Sequence, residues 1–267
     1  MEKLSNAGRI FYGISIAVLG FQSVYFADFP YMLIPPNHAQ LPGLAALAYL
    51  LGSLFIAAGL SITCTIKTGV TSVLLGNALL LVFCFYYLPY EFFVTKNYMH
   101  LVEWDNAGKE LALAGGALVI ANNYPASNRN AFMQFLAKLA PLGTTLFAAA
   151  ITSFGIDHFL YANGVAEYMP KWIPGPVFCA YLAGVPLLTC GIAILFNIQR
   201  RFMATVLGVV IFTWFIIIHI PKMITSPFAD TGSETTSAFL ALAYSGTALA
   251  IAGRKTNRQE RSNDKLS

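Results

Sequence analysis

The chain has 267 residues, 57% of them hydrophobic and 10% charged, with a formal net charge of +4. Soluble globular domains carry about 25% charged residues, so an ordinary soluble fold is excluded and most of the surface is expected to face lipid. The charge is too small for a nucleic-acid partner, and its information lies in where it is placed.

Lys3 and Arg9 precede a first apolar run, 10–27. It ends in "SVYFADFP" with no small-x-small cleavage site, so a retained helix is expected and not a removed signal. Further apolar runs follow at 43–64, 68–89, 108–123, 139–162, 177–197, 202–221 and 237–253. Each approaches the roughly 20 apolar residues that cross a bilayer as a helix. They are too long for strands and do not alternate. The fourth and eighth are short and rich in Gly and Ala, which suits packing on neighbouring helices. The expectation is an all-α polytopic membrane protein with eight transmembrane helices.

The runs repeat. At a shift of 135, Gly20 falls on Gly155. At a shift of 132, Pro42-Gly43 falls on Pro174-Gly175, Tyr49 on Tyr181, and Gly52, Gly59 and Gly76 on Gly184, Gly191 and Gly208. Pro89 falls on Pro221, and "LALAGGALVIA" resembles "LALAYSGTALAIAG". The expected organisation is two parallel-repeat four-helix bundles, 1–123 and 139–253, joined by a cytoplasmic linker, 124–138, with a basic tail at 254–267. Four helices per half is an even number, so both halves insert in one direction.

Charge fixes the orientation. Lys3, Arg9, Lys67, Arg129, Lys138, Arg200, Arg201, Arg254, Lys255, Arg258, Arg261 and Lys265 sort to one face, and only Lys96, Lys109, Lys171 and Lys222 to the other. The positive-inside rule then puts both termini in the cytoplasm. All four histidines, His38, His100, His158 and His219, fall on the outer side.

Ionisable residues in a membrane segment are costly, and they usually face a bundle interior or a cavity. Asp157 and His158 close the fifth run, and His219 stands two residues before Pro221 in the seventh. With Glu91 and Lys109 they are the candidates for a polar pocket in the outer half. The other reading is structural: side chains near helix ends reach interfacial water or bond to a neighbouring helix. Lys109 either snorkels outward or pairs with an acid. Gln22 and Ser23 occupy the places of Asp157 and His158 in the first half, and Tyr87 that of His219. The first half keeps polarity and drops charge.

No catalytic motif is present, no phosphate-binding Gly loop and no metal-ligand spacing. The four cysteines, Cys64, Cys84, Cys179 and Cys190, form no C-x-x-C. An enzymatic role is therefore not expected, no metal site is assigned, and no cofactor can be named.

The stretch "GIDHFLY…WIPG…YLAGVPLLTCGIAILF…RRFMATVLG…IIIHIP" resembles the DoxX-like family of bacterial integral membrane proteins, as a tandem of its four-helix module. The module has a polar pair near the end of its first helix, matched by Asp157 and His158, and a Pro-Gly before its Gly-rich second helix. The resemblance implies a bacterial inner-membrane protein. One relative of that family is a small subunit of a thiosulfate:quinone oxidoreductase. The expected function is a non-catalytic subunit or scaffold linked to a quinone or redox complex, with partner subunits in the membrane. The alternative is a transporter or small-molecule-binding protein with an outer-facing polar pocket. The missing C-x-x-C separates the chain from four-helix thiol reductases.

Overall fold

A computed structural model describes residues 2–30, 33, 42–96, 104–126 and 130–254. His38, His100 and the basic tail beyond Arg254 lie outside the described residues. All regular elements among the described residues are helical. The long ones are α1 (Glu2–Phe26), α2 (Leu44–Thr63), α3 (Thr68–Val82), α4 (Asp105–Asn123), α6 (Gly143–Leu160), α8 (Pro176–Leu195), α9 (Arg200–Trp214) and α11 (Ser233–Ala252). Three short helices complete the set: α5 (Ala131–Ala137) in the link between the halves, α7 (Ala162–Glu167), and α10 (Ile220–Thr225). α1 begins well before the apolar run that marks it, because the amphipathic "EKLSNAGR" continues the same helix.

Among the described residues, seven helices are long and apolar enough to cross a membrane. The fourth expected span, α4, falls short of that measure. Lys109, Glu110 and the Asn122–Asn123 pair lower its hydropathy, and its packing explains why this is tolerated. α4 is enclosed by α3, α6 and α11, and every residue from Ala112 to Ala121 is buried. A helix screened by protein has no outward face to make apolar.

The helices form a ring in the order α1, α11, α9, α8, α6, α4, α3, α2, and α4 and α11 also meet across the centre. The span of α11 is 83% buried, those of α2 and α9 only 22%, so α11 belongs to the core and α2 and α9 to the lipid-facing rim. α11 packs on α1, and α4 packs on α6.

The close contacts come in matched pairs. A Cβ added at Gly246 would lie 2.6 Å from Gly8 O, and one at Gly115 would lie 2.9 Å from Gly143 O. Only glycine allows backbones this near. Gly52 meets Ser23 and Val24, while Gly184 meets His158 and Phe159, the same positions 135 residues on. Gly76 packs on Leu118, and Gly208 on Leu249.

Two wide turns match as well. Phe83–Tyr87 and Phe215–His219 are π-helical, with Leu88 N bonded to Phe83 O and Ile220 N to Phe215 O. Pro89 and Pro221 follow within two residues of these turns. Each lacks an amide donor, and the helix widens by one residue to re-pair its neighbours. We propose on these grounds that the chain is organised as two copies of one four-helix unit, 1–123 and 139–253, with 124–138 as the link and a separate tail from 254.

Candidate functional site

Near the C-terminal ends of α1 and α6 stand two matched polar positions, 22 and 157. Gln22 is buried, and its side chain is satisfied by protein groups. Its Nε2 donates to Thr231 O at 2.8 Å, and Thr236 Oγ1 donates back to its Oε1 at 3.0 Å. This neutral latch ties α1 to the start of α11. It needs both helices in place to be visible, so nothing in the sequence singled out Thr236.

The counterpart at position 157 carries charge. Asp157 is 8% exposed, and neither carboxylate oxygen has a hydrogen-bond partner. The charges that act on it are Asp105 and Lys109, both on α4. Lys109 does not snorkel free: its Nζ lies 2.5 Å from Asp105 Oδ2 and donates to Asn106 Oδ1 at 3.1 Å, within its own helix. Asp105 stands 131 residues before Thr236, so an α4 carboxylate occupies the place of the α11 hydroxyl.

His158 turns the other way, as neighbouring helix residues do. Its Nδ1 donates to Phe154 O at 2.7 Å, and its Cβ packs toward Gly184 on α8. His219 belongs to a different group of charges. It sits on the second wide turn with Nδ1 buried and unpartnered, under the influence of Lys222 and Glu234. Those two form an ion pair at 2.8 Å, and Lys222 also donates to Tyr168 O at 3.0 Å. Glu91 is buried on a third wide turn, Tyr90–Thr95. Of the candidates, Asp157 and Lys109 stand together between α6 and α4, His219 stands with Lys222 of α10 and Glu234 of α11, and His158 and Glu91 join neither group.

One further group stands out. Glu110 is fully buried, and both its carboxylate oxygens lack a partner. It lies seven residues before Ala117, on the α4 face that meets Gly76 of α3. Tyr12 is within electrostatic reach, but its hydroxyl donates to Leu113 O at 2.7 Å. The signal in the sequence was a second charge beside Lys109. Which of the two would be enclosed depends on the neighbours of α4.

Among the described residues no group of three or more His, Cys, Asp or Glu could hold a metal ion.

Long apolar helices and a core of small residues define an integral membrane protein. Comparison adds to this: the DoxX family model matches residues 139–220, from just before α6 to the first residue of α10, and this segment is similar to that family. The matched segment contains Asp157, His158 and His219. Comparison with curated proteins and with solved structures gives no match.

Proposed function

We propose that the chain is a non-catalytic membrane subunit or scaffold serving a quinone-linked redox complex, and that Asp157 receives a small ligand there. The observation that supports this reading is the contrast between positions 22 and 157. Gln22 completes its hydrogen bonds inside the protein, whereas Asp157 leaves two acceptor oxygens over, beside the Lys109–Asp105 pair. A buried polar group is normally hydrogen-bonded, and an orphan acceptor is a place for a donor from outside. A quinol head group fits the requirement: two O–H donors on an apolar ring, delivered from the lipid. The alternative, transport between the halves, is disfavoured by the close contacts of α4 with α6 and α11 at Gly115, Gly143 and Gly116.

The test is purification in mild detergent, with an absorption spectrum, extraction of bound quinone and identification of co-purifying subunits. Asp157→Asn, which weakens a charge-assisted bond, is expected to lower retained quinone roughly tenfold. A wild-type protein that carries no quinone and binds no added quinone analogue ends the ligand reading. Absence of any co-purifying subunit ends the scaffold reading.

We place the protein in the bacterial inner membrane with both termini cytoplasmic, on the sorting of Lys and Arg to one face. A C-terminal alkaline phosphatase fusion should be inactive and a fluorescent protein fusion bright. The opposite pattern reverses the orientation.

A further inference from the structure

The turns that lead into α3 and α9 have the same backbone. Thr65 (φ 62°) and Lys67 (φ 51°) precede α3, and Asn197 (φ 60°) and Gln199 (φ 42°) precede α9. The side chains that follow differ. In the second turn Arg201 reaches across and its guanidinium donates to Arg254 O at 2.8 Å. In the first turn the residue in that place is Gly69; a Cβ there would lie 2.1 Å from Tyr124 O, so no side chain reaches across.

Beside this turn lies a cavity of about 600 Å³, lined by Thr65, Lys67, Thr68, Gly69, Tyr124 and Pro125 among others. It lies at the N-terminus of α3, a 15-residue helix whose N-cap residue, Lys67, supplies no side-chain cap. The first amides of a helix have no acceptor within it. They carry the positive end of the helix dipole, so the protein leaves donors there. Thr68 lines the same cavity, is 5% exposed, and its hydroxyl has no partner. Lys67 is exposed at the rim and makes none of the described ion pairs. Arg9 adds a second positive charge behind the wall. Its guanidinium lies 5.6 Å from the Tyr124 ring centroid and donates to Thr63 O at 2.6 Å and to Ile62 O.

We infer that this cavity binds a phosphate anion, held by the α3 N-terminal amides, the Thr68 hydroxyl and the Lys67 ammonium. Helix N-termini favour anions for reasons of geometry and charge together. A lysine at the rim supplies the counter-charge, and a buried hydroxyl supplies the extra donor. The phosphate can come from a phospholipid head group or from free phosphate. The surroundings favour the lipid. Ile66, in the same turn, is 61% exposed. α5 packs on α3 and turns Phe132 and Phe135 outward. Basic pockets between membrane helices hold anionic head groups in this way.

The experiment uses the full chain in nanodiscs of phosphatidylcholine, with and without phosphatidylglycerol, read by native mass spectrometry of retained lipid. A parallel arm titrates inorganic phosphate into lipid-depleted protein in detergent and follows ³¹P line broadening. Preferential retention of phosphatidylglycerol identifies the lipid as the source, and saturable broadening alone identifies free phosphate. Thr68→Val, which removes the hydroxyl and keeps the shape, is expected to weaken binding roughly tenfold. Thr68→Ser should restore it. Lys67→Asn keeps a residue that tolerates a left-handed backbone and should weaken binding and flatten its salt dependence. Because Lys67 is exposed, that variant tests the site even if Thr68→Val fails to fold. Equal retention of both lipids with no phosphate response, or unchanged binding in folded Thr68→Val and Lys67→Asn, overturns the proposal.

Discussion

Gly246→Leu is expected to cost about 3 kcal/mol or more and to lower the thermal midpoint sharply. The added Cβ alone would lie 2.6 Å from Gly8 O and 2.8 Å from Tyr12 N, both backbone atoms of α1. Neither can move aside without shifting the whole helix. A shift of α1 away from α11 would pull the Gln22–Thr236 latch apart and strain the Tyr12 hydroxyl bond to Leu113 O. Several hydrogen bonds are therefore lost along with the packing. Gly115→Leu, at the matched contact with Gly143 and Phe147, should do comparable damage. Gly164→Leu is the control: nothing lies within 4 Å of a Cβ there, so the change should stay within roughly 0.5 kcal/mol. Thermal unfolding in detergent reads all three. A Gly246→Leu protein that melts with the wild type would mean that the two helices are not in backbone contact.

The second large effect has the opposite sign. Glu110→Met should stabilise the protein, by about 1–4 kcal/mol, as replacement of poorly compensated buried polar groups by apolar ones of similar volume does elsewhere. Glu110 is 0% exposed, and neither oxygen meets a donor. Met removes the desolvation cost and fills the same space. Glu110→Gln keeps a polar head and should gain less. A protein that retains a destabilising group in its core commonly uses it. The same Met variant is therefore expected to lose retained quinone or partner subunits while its melting point rises. If Glu110→Met melts lower than the wild type, the carboxyl has a compensating partner in solution and the reasoning fails.

The membrane character and the helix boundaries were legible because they follow from local composition. Apolar runs bounded by short polar turns and Pro-Gly mark both ends of α2 and α8 and the starts of α3 and α9 to within a few residues, while the runs of α3 and α9 continue seven residues past Val82 and Trp214 through the wide turns. The glycines could be found by their spacing, but their partners could not: Gly8 with Gly246 and Gly115 with Gly143 are contacts between halves, and no periodicity within one helix reports them. For the same reason the polar candidates could be picked out by residue type, but their neighbours could not. Asp157 stands where α6 meets α4, and His219 on the second wide turn, which packs on α11. Lys109 was readable as a charge near an interface. That it is held by Asp105, four residues earlier, follows from helix spacing. The enclosure of Glu110 one residue later depends on α3 and α1 closing over it.

The packing of α4 on helices that follow it in the chain has a consequence for how the protein is made. α4 emerges from the ribosome before α6 and α11, the helices that cover two of its sides, and it is the least apolar of the long helices. Until residues beyond 139 have been synthesised, α4 has only its neighbours in the first half to shield Lys109 and Glu110 from lipid. Its stable placement must therefore wait for the arrival of the second half. A nascent chain arrested in the 124–138 link should hold α4 loosely, exposed to solvent labelling or to the membrane insertion machinery. Release of the arrest should seat it, together with α11, in a late step of assembly.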